Sequence, residues 1–161
     1  VISDVTDFMM YCFYNPTFKN QKLGKPYSGK LVGDLGIYYI ETYRKYVKEA
    51  LEKSQRFVAP LSIKELADLA EQMISLGNQS GEGWLLTAEM IELIQMGAEN
   101  VICVQPFGCL PNHITGKGMI KGVRDLHPNA NIIPIDYDPG ASSVNQLNRI
   151  KLMLSTAKDN L

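Results

Sequence analysis

The sequence holds no apolar run approaching the roughly 20 residues a membrane-spanning helix requires, so it predicts no bilayer span. It lacks an excess of either charge: 16 Lys and Arg stand against 17 Asp and Glu, a formal net charge of −1. Such a balance offers no electrostatic ground for binding nucleic acid or an anionic membrane surface. Cysteine is scarce. Cys12, Cys103 and Cys109 are an odd number and too few for a disulfide scaffold. The first residues carry neither a basic n-region nor an initiator Met. These features together are expected of a cytoplasmic, soluble chain in a reducing compartment, cut from a longer polypeptide. A mid-chain linker and internal repeats are missing too, which predicts one domain over residues 1–161.

What is present is ordinary globular material. Of the 161 residues, 45% are hydrophobic and 20% charged, enough apolar surface for one packed core. Residues 1–36 are expected to be irregular, with Phe8–Phe13 buried as helix or strand. Asn15-Pro16 and Gly24-Lys25-Pro26 punctuate a loop there. From Ile37 the helical period is clear: Ile37, Ile40, Tyr43, Val47 and Leu51 form one stripe beside a ladder of Glu41, Lys45, Glu49 and Lys53. A second helix opens at Ser62, whose spacing to Glu65 makes a capping box, and is expected to stop at Gly77. A third runs from about Trp84 to Met96.

Val101–Val104 is a continuous apolar run, the pattern of a strand buried on both faces. After the loop Pro106–Pro111 comes a glycine-spotted helix over about Thr115–Leu126. A second strand follows at Ile132–Ile135, where Pro134 predicts an edge position. The last helix begins near Ser143 with a Ser143/Gln146 capping box. This order predicts an α/β fold: a small parallel sheet flanked by helices, a Rossmann-like or flavodoxin-like half. Lys30–Val32 is a weak third strand.

In open α/β sheets ligands bind beyond the carboxyl ends of the strands. That rule selects Gln105–His113 and Asp136–Ser142. Cys109, held between Gly108 and Leu110-Pro111 near a helix start, has the setting of a metal ligand or reactive thiol; a small buried hydrophobe is the alternative. Cys103 and Cys12 read as core. His113 could donate to a bound anion or thioester oxygen, or cap the adjacent helix. Asp136 and Asp138 could serve a hydrated Mg²⁺ or a ribose hydroxyl, or simply build the Asp-Pro-Gly turn. Gly81, Glu82 and Trp84 open the third helix, where free backbone donors could hold an anion and Trp84 could cover a ligand; the alternative is a buried Trp anchor. With Ser142, these residues would serve a CoA- or phosphate-binding module. No zinc or cluster set is complete, and Gly116, Gly118 and Gly122 match no nucleotide fingerprint.

Three strings then carry a resemblance. Gly81-Glu82-Gly83-Trp84-Leu85-Leu86-Thr87-Ala88-Glu89-Met90, Gln105-Pro106-Phe107-Gly108-Cys109-Leu110-Pro111-Asn112-His113 and Asp136-Tyr137-Asp138-Pro139-Gly140-Ala141-Ser142 resemble the C-terminal region of the large acyl-CoA dehydratase activases. These are activators of 2-hydroxyglutaryl-CoA dehydratase in anaerobic metabolism. The resemblance extends from about Gly77 to the end. It implies a parent protein whose ATPase portion drives an electron from an iron–sulfur cluster to a 2-hydroxyacyl-CoA dehydratase-like partner. It also implies a likeness to the dehydratase subunit and the double-cubane-cluster proteins, with Cys109 matching a late ligand of a 4Fe–4S cluster and His113 nearby. The pattern departs in residues 1–80, where the early cluster cysteines are not recognisable, and no ATPase phosphate loop is present. The chain alone is therefore expected to bind neither ATP nor an intact cluster and to catalyse nothing by itself. The competing expectation is a scaffold or docking domain without a cluster.

Overall fold

The structure, a computed structural model, describes residues 1–24 and 29–159. It is a mixed α/β fold: a two-stranded parallel sheet flanked by helices. Two long helices come first, α1 (Val5–Leu23) and α2 (Lys30–Ser54). Residues 1–36, expected to be irregular, are thus mostly helical, and Lys30–Val32 opens α2 instead of forming a strand. The expected loop at Gly24-Lys25-Pro26 lies, beyond Gly24, outside the described residues.

The reason lies in how α1 and α2 meet. A Cβ on Gly33 would collide with the Phe13 carbonyl oxygen, and one on Gly36 would sit 2.9 Å from the Phe13 ring. Glycines that cost intrinsic helix propensity here let two helices approach closely. Pro16, expected to break the chain, lies inside α1. Its neighbour Asn15 is held from outside, by Trp84 Nε1 donating to Asn15 Oδ1 at 3.1 Å and Gln79 Nε2 donating to Asn15 O at 3.4 Å. Met10, Tyr11, Tyr14 and Phe18 of α1 join Ile37 and Ile40 of α2 in the first core cluster.

Of the expected apolar stripe of α2, Ile37, Ile40 and Leu51 are half-buried and none is fully buried. Tyr43 and Val47 are exposed, while Arg44 is buried. Arg44 bridges outward, with Nη2 3.0 Å from Asp7 and 3.1 Å from Asp4, and Nη1 2.9 Å from Glu41. The Asp7 carboxyl is pushed up to about 7: burial raises it, Arg44 lowers it, and Asp4, Glu92 and Glu41 raise it again. One guanidinium shared among several carboxylates cannot neutralise them all.

Helix α3 (Ile63–Glu71) starts as its capping box predicts. Glu65 N donates to Ser62 Oγ at 3.3 Å and Ser62 N to Glu65 Oε2 at 2.8 Å. It ends well before Gly77, with the amides of Met73 and Ile74 both turning onto the Ala70 carbonyl. Helix α4 (Trp84–Gln95) packs Leu85 and Ala88 in the same cluster as Leu66, Ala67 and Ala70 of α3.

Strands β1 (Asn100–Gln105) and β2 (Asn131–Asp136) pair in register, Ile102 with Ile133 and Cys103 with Pro134. Between them lie a π turn at Asn112–Gly116, a short 3-10 turn and α5 (Ile120–Leu126), so the expected continuous helix over Thr115–Leu126 is broken in its first part. On one sheet face Val101, Cys103 and Ile132 pack with Met90, Ile91, Ile120 and Val123. On the other, Ile133 and Ile135 pack under Ile150 and Met153 of α6 (Ser143–Asp159). Helix α6 covers β2 but not β1, so β1 alternates instead of being buried on both faces, and Ile102 and Val104 stay exposed. No helix among the described residues is long and apolar enough to cross a membrane.

Candidate functional site

The carboxyl ends of β1 and β2 lead into two loops that are tied to each other. Gln105 and Asp136, the final residues of the strands, are cross-strand neighbours. Gln105 Nε2 donates to Asp136 Oδ1 at 2.7 Å. One residue beyond β2 the tie repeats, with Tyr137 N donating to Gln105 O at 2.8 Å. Phe107 N donates to Asp138 Oδ2 at 2.6 Å. Each aspartate therefore commits one oxygen to the neighbouring loop.

Beside this lattice opens a crevice of about 990 Å³, lined by Phe107, Asp136, Asp138, Ser142, Asn145 and Arg149 among others. One aromatic ring, Phe107, two aspartates and an arginine on the second turn of α6 give it mixed character. Ser142 is the cap of α6: Asn145 N donates to its Oγ at 3.4 Å and Gln146 N to its carbonyl at 3.1 Å. The expected Ser143/Gln146 box is thus shifted by one residue. The reason is that the Gln146 side chain turns to the sheet, its Nε2 donating to Asp136 O at 3.0 Å.

Cys109 sits on the turn that Phe107 begins. Gly108, at φ +73, supplies the left-handed step, and Cys109 N donates to Pro106 O at 3.3 Å. The Cys109 thiol is half-buried, between exposed Cys12 and buried Cys103. Its carbonyl accepts from His113 twice, from the backbone N at 3.0 Å and from ring Nδ1 at 2.9 Å. A carbonyl can only accept, so Nδ1 is the donor in this bond. His113 thus ties its own loop down.

The same loop is pinned to α4. Thr87 Oγ1 donates to Thr115 O at 2.6 Å, Thr115 Oγ1 to Pro111 O at 2.9 Å, and a Cβ on Gly116 would stand 3.2 Å from Cys103 Sγ. Gly81, at φ +59, lies against the Pro111 ring, which brings the start of α4 to the Cys109 loop. Glu82 is half-buried beside it. Trp84 is placed differently from a ligand cover. It is fully buried, edge-on to Tyr11 with centroids 5.0 Å apart. Cys12, expected in the core, is exposed on α1. Lys117 and Lys121 are exposed, whereas Arg124 donates to the Ile132 carbonyl.

Sequence reasoning passed over Glu89 of α4. Burial, with Asp7, Glu92 and Glu82 adding to it, pushes its carboxyl up to about 8. The signal was available: in Trp84–Gln95 the only charged residues are Glu89 and Glu92, and a helix apolar all round is a buried one. Glu92 finds a partner, its Oε1 accepting from Leu61 N at 2.9 Å. Among the described residues no group of three His, Cys, Asp or Glu side chains converges as a metal requires. Burial also raises the Cys103 thiol, against thiolate ligation there. No protein-family model matches the chain, and neither a curated protein nor a solved structure matches it.

Proposed function

We propose that this chain is the C-terminal domain of an ATP-dependent redox activator of 2-hydroxyacyl-CoA dehydratases, in which it presents Cys109 toward an iron–sulfur site or partner-docking surface completed by other parts of the protein. The observation that carries this reading is the placement of three thiols. Cys103 is buried with residues of α4 and α5, Cys12 is exposed but lies on α1 rather than at a strand end, and Cys109 is half-buried in the loop that follows β1. A 4Fe–4S cluster needs about four ligands. The described residues supply one well-placed thiol and no converging set, so they do not fit a whole cluster, and no redox step is assigned to them. Anaerobic iron–sulfide reconstitution of the full-length protein, with Cys109→Ala as control, tests the reading. Loss of iron and of the visible charge-transfer absorption in the variant is expected; an unchanged spectrum and iron content would remove it in favour of a cluster-free scaffold.

A second reading has its own observation. The crevice is large enough for a cofactor-sized ligand, and it opens at Ser142 and the first amides of α6 with Arg149 at hand, the chemistry of a phosphate site. Calorimetric titration with CoA and acyl-CoA tests it. No heat at millimolar ligand would exclude a CoA- or phosphate-binding module.

A further inference from the structure

The crevice at the strand ends sets a bare aromatic ring beside two carboxylates that are each half engaged. Phe107 is 80% exposed, and its backbone N donates to Asp138 Oδ2 at 2.6 Å, so the residue that bears the ring is tied to the aspartate. Asp136 is held in the same manner, through Oδ1, by the buried Gln105. Each carboxylate keeps one oxygen, Oδ2 of Asp136 and Oδ1 of Asp138, to which no hydrogen bond runs among the described residues. Helix α6 adds Asn145, Asn148 and Arg149, which line the same crevice at i, i+3 and i+4.

These groups select a ligand by charge and shape. A bare anion would meet two carboxylates and one guanidinium, whose Nη1 already donates to Pro134 O at 3.3 Å. A divalent cation finds no third His, Cys, Asp or Glu converging with them among the described residues. An apolar ligand would leave the carboxylate oxygens and the amides unmatched. What fits is a neutral ligand with adjacent hydroxyls, which donate to the two open oxygens, and a flat π face to lie on Phe107.

We infer that the crevice binds a ribonucleoside, with the 2′,3′-diol of its ribose on Asp136 and Asp138 and its base stacked on Phe107. The inference rests on the reading of this crevice as a ligand site and changes the ligand. CoA carries a phosphate on its 3′ oxygen, so its ribose has no free diol and would set that phosphate against the two aspartates. Topology agrees. Asp136 closes β2, the strand that follows β1 through a helical crossover, and in doubly wound sheets an acidic residue after the first crossover takes a ribose hydroxyl. Pro106 directly follows β1, where a glycine fingerprint would seat a pyrophosphate, so a dinucleotide is not the expected ligand.

Every base has a π face, so adenosine serves as the probe. Calorimetry with adenosine, 2′,3′-dideoxyadenosine, ribose and CoA, with amide NMR shifts to locate binding, tests the inference. Adenosine should bind and shift the Phe107 and Tyr137 amides, and the dideoxy analogue and CoA should bind about tenfold or more weakly. Phe107→Ala removes an exposed ring, and Asp138→Asn can still accept from Phe107 N. Each should weaken adenosine binding by about tenfold or more, with amide spectra of the free variants checking the fold. The inference is overturned by adenosine without effect at millimolar concentration, by a dideoxy analogue or ribose that binds as well as adenosine, or by both variants binding as the parent does. CoA binding where adenosine does not would overturn it and keep the crevice as a CoA site, whereas silence from both would remove both readings.

Discussion

Gln105 Nε2 lies 2.7 Å from Asp136 Oδ1, a side-chain bond that joins the last residues of two strands already paired through their backbones. Gln105 is almost wholly buried, and its Oε1 has no partner among the described residues. The bond to Asp136 therefore meets the amide's remaining need and fixes the floor of the crevice. Asp136→Ala strands the Gln105 amide N–H and is expected to destabilise the fold by about 1–3 kcal/mol. Urea denaturation measures it. A midpoint equal to that of the parent would show that water replaces the carboxylate without cost.

Arg44 is the counterpart in the first core cluster. It reaches Asp4, Asp7 and Glu41 and donates to the Leu61 carbonyl at 3.3 Å, linking α2 to α1 and to the start of α3. Arg44→Met leaves the buried Asp7 carboxyl without its cation, for an expected loss of about 3–5 kcal/mol. Adding Asp7→Asn should recover part of that loss, because it removes that buried charge. Equal stabilities of single and double variants in the mutant cycle would deny the coupling.

Asp7 and Glu89 also set a pH dependence. Both folded-state pKa values are raised, to about 7 and about 8, so the native state holds these protons more tightly than the unfolded chain. The stability they contribute is full below the ordinary carboxylate range near pH 4. It is lost as pH rises through about 7 and about 8. Melting temperature should therefore fall between about pH 5 and about pH 9, and Glu89→Gln should flatten the fall while melting higher than the parent at the alkaline end. The same slope in Glu89→Gln and parent would place the dependence elsewhere.

How far these features were legible depended on whether the cue was local. The capping box at Ser62 and Glu65, the helix from Trp84 to its stop at Gly97, and the two strands all follow from residues within a few positions of one another. The N-terminal third did not. Gly33, Gly36 and Pro16 are helix breakers by propensity, and only contact between α1 and α2 makes them acceptable. The burial of Arg44 in place of Tyr43 is likewise set by where α1 crosses. At the crevice, Asp136, Asp138 and Ser142 could be placed because ligands gather at strand ends. That each is already engaged, with Gln105, Phe107 N and the α6 cap, depends on pairings some 31 positions apart, between Gln105 and Asp136 and between Phe107 and Asp138, that no local pattern encodes.

The three thiols give a direct chemical reading of the fold. Cys12 is exposed, Cys109 is half-buried and Cys103 is buried with its pKa raised by desolvation. Thiolate fraction and access together set the alkylation rate, so Cys103 should react only as the protein unfolds. Brief treatment of the native protein with iodoacetamide, followed by peptide mass spectrometry, should label Cys12 and Cys109 and spare Cys103. In Cys12→Ser the one thiol titrated under native conditions should be Cys109, and denaturant should reveal the second. The Cys109 rate matters most, since a sulfur that cannot be reached by a small alkylating agent cannot be offered to a site beyond the chain. Labelling of Cys103 before Cys109 would mean that the π turn opens readily from β1, contrary to the packing of Gly116 on the Cys103 sulfur.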